Sequence, residues 1–244
     1  KKIKKEKIEP IFNTLQHELL DLEKVDQGEL EMSLKLKESL HQLSEKASYH
    51  AFAIRCWPEM FTKYGGAICA PASIMTENKV PCACEADVYG AVTQLILQEV
   101  SQEPVFLTDI VDIDIIDNTG VFWHCGQAPI SMCEHDFKPR ATIHTNRKMP
   151  LLFEFPLKEG VVTMMRISQA HGEHKMVISK GKMLKRELTY TGTSGVIKFD
   201  KEAKQVLDDI ISSGLEHHVA ITYGDHVKLL SEVAAELELP ILYI

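Results

Sequence analysis

Two carboxylates and one histidine stand in apolar segments of this chain, where charged groups need a partner. Glu85 lies in CACEADVYG, Asp109 lies in PVFLTDIVDI, and His218 begins the apolar run HVAIT. A carboxylate in such a segment is costly unless it is paired or bound to a cation. Two carboxylates and one imidazole, with positions left for water or substrate, suit Mn²⁺ or another divalent cation better than structural zinc. At converging strand ends these residues predict a metal site, while separate helix-capping and salt-bridge roles stay open.

The other residues with ligand chemistry carry weaker patterns. Asp87 is interpreted as a first-turn acid that the helix dipole favours. Cys125, Cys133 and His135 could imitate a zinc cluster, but no second CxxC-like pair supports them. We expect the remaining candidates in solvent-exposed strands and turns: Asp112, Asp114, Asp117, His171 and His174.

Composition narrows the class of protein. A formal net charge of −8 argues against general nucleic-acid binding, which needs a basic face. The six cysteines form no CxxC pair, which indicates reduced, buried thiols of an intracellular protein. The sequence shows neither a membrane-spanning run nor a signal peptide, so we expect a cytoplasmic location and no membrane partner. The chain begins without Met inside a helical pattern, and we expect a fragment of a longer protein.

The hydrophobic pattern predicts an α/β fold. Two amphipathic helices are predicted between Glu9 and about Lys46, and another helix from about Glu85 to Ser101. Apolar strands alternating with helices favour an α/β sandwich-type domain with a mostly parallel sheet over residues 1–103. Closely spaced short strands then predict a C-terminal domain over 104–244, with a small antiparallel β-barrel at about 126–200 and a closing αβ tail.

Several segments resemble a known family when they are taken together and in order. They are AFAIRCWPEM, VPCACEADVYGAVTQLIL, PVFLTDIVDID with VFWHCG, and EHHVAITYG with LPILYI. From about Ser48 to its end the chain resembles the C-terminal two-thirds of the L-fucose isomerase family, which is related to L-arabinose isomerases. In that family a Glu after an AC dipeptide, an Asp some two dozen residues later and a His before the AITYG strand hold Mn²⁺. These positions correspond to Glu85, Asp109 and His218.

The resemblance implies an aldose–ketose isomerase that acts on a pentose or a 6-deoxyhexose. The open-chain sugar would chelate the metal through O1 and O2, and the reaction would pass through an enediol. Glu85 and Asp109 would be both ligands and proton carriers, and His218 a neutral ligand. The residues expected to line the sugar pocket are Arg55, Trp57, Trp123, His124 and Tyr223.

Departures from the family pattern leave the substrate open. Family members carry another α/β domain, form closed homo-oligomers and usually have Asn where this chain has His217. The β-rich stretch is also shorter. The alternative hypotheses are a non-catalytic carbohydrate-binding or regulatory relative with the same fold, and an oligomerisation domain built on the N-terminal helices.

Overall fold

The computed structural model describes residues 3–188 and 190–244. Within them the helices lie in two groups, four before the main sheet and two near the end of the chain. The α-helices are Lys5–Glu18 (α1), Gln27–Ala47 (α2), Cys69–Glu77 (α3), Val88–Ser101 (α4), Ala203–Ser213 (α5) and Val227–Glu236 (α6). A π-helix spans Met60–Tyr64, and 3-10 turns span Leu22–Lys24, Ile130–Met132 and Ala170–Gly172.

The strands form one large sheet and one small parallel pair. Their bounds are Phe52–Ala53 (β1), Cys82–Ala83 (β2), Phe106–Asp114 (β3), Thr119–His124 (β4), Arg140–Thr142 (β5), Leu152–Pro156 (β6), Gly160–Ser168 (β7), Lys175–Leu184 (β8), Thr193–Phe199 (β9), His218–Tyr223 (β10) and Ile241–Tyr243 (β11). Nine of these strands make a sheet in the order β11-β8-β7-β10-β3-β4-β9-β6-β5. β8 pairs with β9 as well as with β7, so that six strands are joined in a ring of antiparallel ladders.

The strands of this sheet are apolar on both faces because both faces are covered. In β3, Phe106 packs into a core cluster that includes residues of α1 and α2, while the next residue, Leu107, packs into a second cluster with α4 and α6. In β10, Val219 packs into the first of these clusters and Ala220 into the second. Alternate side chains point to opposite faces of a strand, so burial of both faces gives a continuous apolar run.

The mixed α/β class is confirmed, but the mostly parallel sheet is not. Within the described part of residues 1–103, only β1 and β2 pair, in parallel and over two residues each. The apolar GGAICAPASIM segment contributes the buried helix α3. Continuous apolar runs indicate burial on two faces, and here a mostly antiparallel sheet under helices has that property.

The predicted small barrel at about 126–200 is also not a separate unit. Strands from this range pair with β4, β10 and β11, which lie outside it, and belong to the single large sheet. The division at residues 103 and 104 stays a prediction, and a shared core cluster spans it. No helix of the described residues is long and apolar enough to cross a lipid bilayer.

The helix predicted to start at Glu85 begins three residues later, at Val88. Asp87 caps it, because the Asp87 side chain accepts a hydrogen bond from the Gly90 N–H group at 2.7 Å. The two predicted N-terminal helices are present, and Asp26 caps the second by accepting from the Glu29 N–H group.

Candidate metal centre

Strand pairing brings His218 and Asp109 together at one end of the sheet. In the ladder between β10 and β3 these two residues lie directly opposite each other. His218 Nε2 is 3.1 Å from Asp109 Oδ1, and Nε2 of the exposed His217 is 3.6 Å from the same oxygen. The two imidazole rings lie 4.4 Å apart between centroids. The ladder therefore presents one carboxylate and two imidazoles at a common point.

A strained loop between β2 and α4 carries Glu85. Glu85 and Ala86 both have left-handed backbone conformations, with φ values of 59° and 57°. Such a conformation costs about 1–2 kcal/mol for a residue with a Cβ atom, and strain of this kind concentrates at functional sites. The Ala86 N–H group donates to the Ile54 carbonyl at 3.0 Å, which ties the loop to β1. As a result the Glu85 side chain is exposed ahead of the helix.

Ligand atoms from four other residues gather around His218. One nitrogen of His218, one nitrogen of His124 and a carboxylate oxygen of Glu85 lie within 4.8 Å of one another. His218 forms a second such group with Asp109 and His217. Among the described residues, Glu85 and Asp109 do not join a single group at this distance. His218 is therefore the residue that links the two predicted carboxylate ligands.

Asp87 fixes the orientation of the His218 ring. Asp87 Oδ2 is 3.0 Å from His218 Nδ1, and the two carboxylate oxygens accept hydrogen bonds from the buried Arg166 guanidinium at 2.5 and 3.1 Å. Gly90 leaves the space for this arrangement, since a Cβ atom there would lie 2.4 Å from Asp87 Oδ2. With Nδ1 directed at a carboxylate, the other ring nitrogen is left for a cation, as in carboxylate–histidine–metal arrangements.

The two aspartates set the charge state of His218. Burial by itself lowers the pKa of His218, but Asp109 and Asp87 outweigh it and raise that pKa to about 9. Burial likewise raises the pKa of each aspartate, but the neighbouring basic side chains lower it by more. The pKa of Asp87 is lowered by His218 and Arg166, and that of Asp109 by His218 and the nearby histidines. Both carboxylates are therefore ionised at neutral pH.

His124 is buried beside His218 but, unlike His218, it is uncharged. Its ring centroid lies 5.7 Å from that of His218, and burial lowers its pKa to about 4. The Cys125 N–H group donates a hydrogen bond to His124 Nδ1 at 2.8 Å. The ring is therefore neutral at physiological pH, and its Nε2 atom is buried with no hydrogen-bond partner among the described residues.

The residues at this point fit a divalent cation. His218 Nε2 and Asp109 Oδ1 are buried and face each other as an ion pair at 3.1 Å. The imidazole and carboxylate donors that gather at His218 are of the kinds that divalent cations take. Two ligand atoms at right angles around a cation, each about 2.1 Å from it, lie about 3.0 Å apart. The His218–Asp109 separation of 3.1 Å matches this value.

Of the residues predicted to contact the sugar, Trp123 and His124 lie beside the ligand atoms at His218, and Tyr223 does not. Trp123 lies opposite Asp109 in the β3–β4 ladder and stacks against His124 with an interplanar angle of 14°. Tyr223 lies at the far end of β10, about 16 Å from His218 at the usual rise per residue. Its hydroxyl donates to the Lys158 carbonyl at 2.6 Å. The structure thus does not bring Tyr223 to the cluster.

Arg55 and Trp57 occupy the loop that follows β1. Arg55 Nε lies 3.1 Å from a Glu59 carboxylate oxygen, and the Arg147 guanidinium lies 4.2 Å over the exposed Trp57 ring. This loop adjoins the Glu85 loop through the backbone bond that Ala86 makes to Ile54. The roles of Arg55 and Trp57 in sugar binding stay predictions.

All six cysteines are free, and five of them are buried. Cys69 Sγ and Cys125 Sγ lie 3.3 Å apart. Among the described residues, Cys125, Cys133 and His135 do not converge as a ligand group. Their thiols therefore pack against one another and the core, as small apolar groups do.

Asp87 and Arg166 belong to this site, and the sequence does not predict it. Asp87 is the N-cap of α4, as its sequence position indicates, but it also contacts His218. Arg166 interrupts the apolar strand β7 in VVTMMRIS, and its side chain is 7% exposed. A cation within an apolar strand needs a buried anion, and that signal could have indicated its pairing with an acid.

Comparison with known proteins places these features in a family. The profile of the L-fucose isomerase C-terminal domain matches residues 122–244. The chain is 35% identical to a sulfoquinovose isomerase of Priestia aryabhattai, across 78% of this chain and 43% of that protein. It is 29% identical to one of Alkalicoccus urumqiensis, across 100% of this chain and 55% of that protein.

The chain spans about half the length of these curated relatives. A third relative, a sulfoquinovose isomerase of Clostridium sp. (strain MSTE9), is 32% identical across 78% of this chain and 43% of its own length. The domain profile covers β4 through β11 and includes His218, while the identities extend over most of the chain. This chain belongs to the L-fucose isomerase family.

Proposed function

We propose that this chain is the C-terminal part of a metal-dependent aldose–ketose isomerase that acts through an enediol. The observation that carries the proposal is the convergence of ligand atoms of Glu85, Asp109 and His217 on the buried His218. Glu85, Asp109 and His218 would hold Mn²⁺ or another divalent cation there. The family relationship supports the reaction class.

When bound, the cation would polarise the sugar carbonyl as a Lewis acid. Proton transfer and metal binding are then assigned to different residues of the chain. Asp109 is engaged by two histidines, while the exposed Glu85 carboxylate accepts no hydrogen bond from the described residues. We therefore assign the proton transfer from C2 to C1 to Glu85, and to Asp109 the role of a fixed anionic ligand. Asp87 keeps the His218 ring in position throughout.

We propose sulfoquinovose as the substrate, since the curated relatives carry that name. Sulfoquinovose is a hexose in which a sulfonate replaces the hydroxyl group on carbon 6. Its reacting end is an ordinary aldose, so the chemistry at C1 and C2 needs no change. We further propose a cytoplasmic homo-oligomer that binds neither nucleic acid nor membrane. The net charge of −8 supports the exclusion of nucleic acid.

The test is conversion of sugars by the full-length, Mn²⁺-loaded protein, with sulfoquinovose, L-fucose and L-arabinose compared by NMR in D₂O. We expect ketose formation, with deuterium entering at C1 because the carboxylate exchanges its proton with solvent. Glu85→Gln should lower kcat by about 10²–10⁴, the usual range for a lost proton carrier. A matched control is Glu99→Gln, which changes an exposed carboxylate near the far end of α4.

Absence of ketose from every aldose would defeat the enzyme proposal and favour the non-catalytic sugar-binding relative. Equal losses in the Glu85 and Glu99 variants would defeat the assignment of the proton carrier while leaving the reaction class in place. Conversion of L-fucose but not of sulfoquinovose would replace the proposed substrate.

A further inference from the structure

His124 and His218 are buried neighbours, yet their hydrogen bonds orient them for opposite tasks. His218 directs Nδ1 to the Asp87 carboxylate at 3.0 Å, which places a proton on Nδ1, so a cation that displaces the proton of Nε2 would bind at that nitrogen. His124 receives a hydrogen bond at Nδ1 instead, from the Cys125 N–H group at 2.8 Å, and Cys125 Sγ lies 3.2 Å from the same nitrogen. A nitrogen that accepts carries no proton, so the proton of the His124 ring is on Nε2.

The backbone around His124 keeps this arrangement in place. The His124 carbonyl accepts a hydrogen bond from the Gly126 N–H group at 2.7 Å. Gly192 packs so closely that a Cβ atom there would lie 2.7 Å from the same carbonyl oxygen. The Trp123 ring stacks on the His124 ring, with centroids 6.3 Å apart. For Nε2 to accept instead of donate, the ring would have to move its proton to Nδ1 and lose the bond from Cys125.

The Nε2–H group of His124 has no acceptor of its own. The ring is 3% exposed, and Nε2 makes no hydrogen bond within the described residues. One nitrogen of the ring also lies within 4.8 Å of ligand atoms of Glu85 and His218. A buried donor beside a cation site needs an acceptor that arrives with the substrate, because an unsatisfied donor is costly.

We propose that His124 is a catalytic hydrogen-bond donor to an oxygen at the reacting end of the open-chain sugar, and is not a metal ligand. This inference deepens the proposed isomerase function and rests on it. The donor is fixed before the sugar binds, so it stabilises charge that develops on that oxygen without reorganisation. His124 and His218 then differ in role, although one nitrogen of each ring lies in the same group of ligand atoms.

The tautomer is tested first on the unmodified protein, which avoids any question of folding. Long-range proton–nitrogen NMR of histidine-labelled protein should show the His124 proton on Nε2, both before and after addition of Mg²⁺ as a diamagnetic probe. His218 Nε2 should respond to Mg²⁺. A His124 proton on Nδ1, or a His124 Nε2 signal that shifts with Mg²⁺ as His218 does, would overturn the inference.

Two variants then separate a donor from a ligand. His124→Phe keeps a planar ring without a donor, and His124→Gln restores an N–H donor on a side chain of similar reach. Calorimetric Mn²⁺ affinity should stay within about threefold of the parent in both variants, whereas His218→Gln should lose at least about 100-fold. In the full-length enzyme, kcat should fall by about 10²–10³ for His124→Phe and recover in part for His124→Gln.

The outcomes distinguish this inference from the proposed function itself. An active, Mn²⁺-binding parent with a weakened Mn²⁺ affinity in His124→Phe makes His124 a ligand and overturns only the inference. Unchanged Mn²⁺ affinity together with unchanged kcat overturns the donor role. A parent that binds no Mn²⁺ and converts no sugar overturns the proposed function, and the inference with it.

Discussion

The two ends of strand β10 differ in how the polar side chains around them are hydrogen-bonded. At the Tyr223 end every polar side chain we describe finds a partner: the Tyr223 hydroxyl donates to Lys158, Thr222 donates to the Pro104 carbonyl, and Thr163 donates to the Gly224 carbonyl. At the His218 end, ligand atoms of several side chains converge, and His124 Nε2 is buried with no hydrogen-bond partner among the described residues.

We interpret the Tyr223 end of the strand as serving stability and the His218 end as a ligand site. A polar network that satisfies itself rigidifies the fold and leaves nothing to bind. A buried donor such as His124 Nε2 is costly without a partner, and under the proposed function the sugar would supply one. The predictions below contrast the two ends.

The largest effect is expected at His218. Replacement by Gln removes an imidazole whose orientation Asp87 fixes, so full-length enzyme should lose at least about 10³ in kcat/KM and about 100-fold in Mn²⁺ affinity. Steady-state kinetics and calorimetry check the two losses. Retention of Mn²⁺ affinity by this variant would place the metal elsewhere.

The next effect is expected at Asp87, which contacts no substrate in this account. Asp87→Asn removes the charge that pairs with the buried Arg166 and leaves only Glu216, whose oxygen lies 4.0 Å from Arg166 Nε, so we expect a loss of about 3–5 kcal/mol in the free energy of unfolding, measured in urea. Mn²⁺ affinity should also fall by about 10–100-fold, because the His218 ring loses its carboxylate partner. A variant that loses stability but keeps its Mn²⁺ affinity would reduce Asp87 to a structural ion pair.

A pH effect of intermediate size should come from His218 in the metal-free protein. Its folded-state pKa of about 9 lies above the unfolded value of about 6.5, so its stabilisation is complete below pH 6.5 and is lost as the pH rises through 9. The expected loss is up to about 3 kcal/mol. Urea unfolding in EDTA at pH 6 and pH 9 measures it.

The matched control for the pH effect is His218→Gln, which should remove most of this slope. Persistence of the full slope in that variant would assign the titration to another group.

The smallest effect is expected at Tyr223. Tyr223→Phe removes one satisfied hydrogen bond and should cost about 1 kcal/mol in the free energy of unfolding. Because the hydroxyl lies at the far end of β10, kcat and KM should stay within about twofold of the parent. A rise of KM beyond about tenfold would restore Tyr223 to the sugar pocket and break the contrast between the two ends.

The ligand candidates could be predicted because each one interrupts an apolar run. Glu85, Asp109 and His218 stood out from their neighbours before any fold was known, and the structure gathers them around His218. Tyr223 could not be placed in this way, since an aromatic residue at the end of a strand suits a sugar pocket and a core equally well.

The sheet direction and the role of Asp87 were harder to predict for physical reasons. The apolar segments before residue 104 predict a parallel sheet, but AFAIRC contains only the two-residue strand β1 and GGAICAPASIM forms the buried helix α3, which an apolar run does not distinguish from a buried strand. Asp87 has the sequence of an ordinary helix cap, and its contact with His218 joins residues 131 apart. Pairing over such a distance leaves no local signal.

The central claim is that the His218 end of β10 holds a divalent cation with Glu85 as a ligand. The direct measurement is the melting temperature of this chain with and without Mn²⁺, for the parent, Glu85→Gln and the matched control Glu99→Gln. We predict that Mn²⁺ raises the melting temperature of the parent and of Glu99→Gln, since a ligand of the folded state alone stabilises it. The shift should be absent in Glu85→Gln, and an equal shift in all three proteins would contradict the claim.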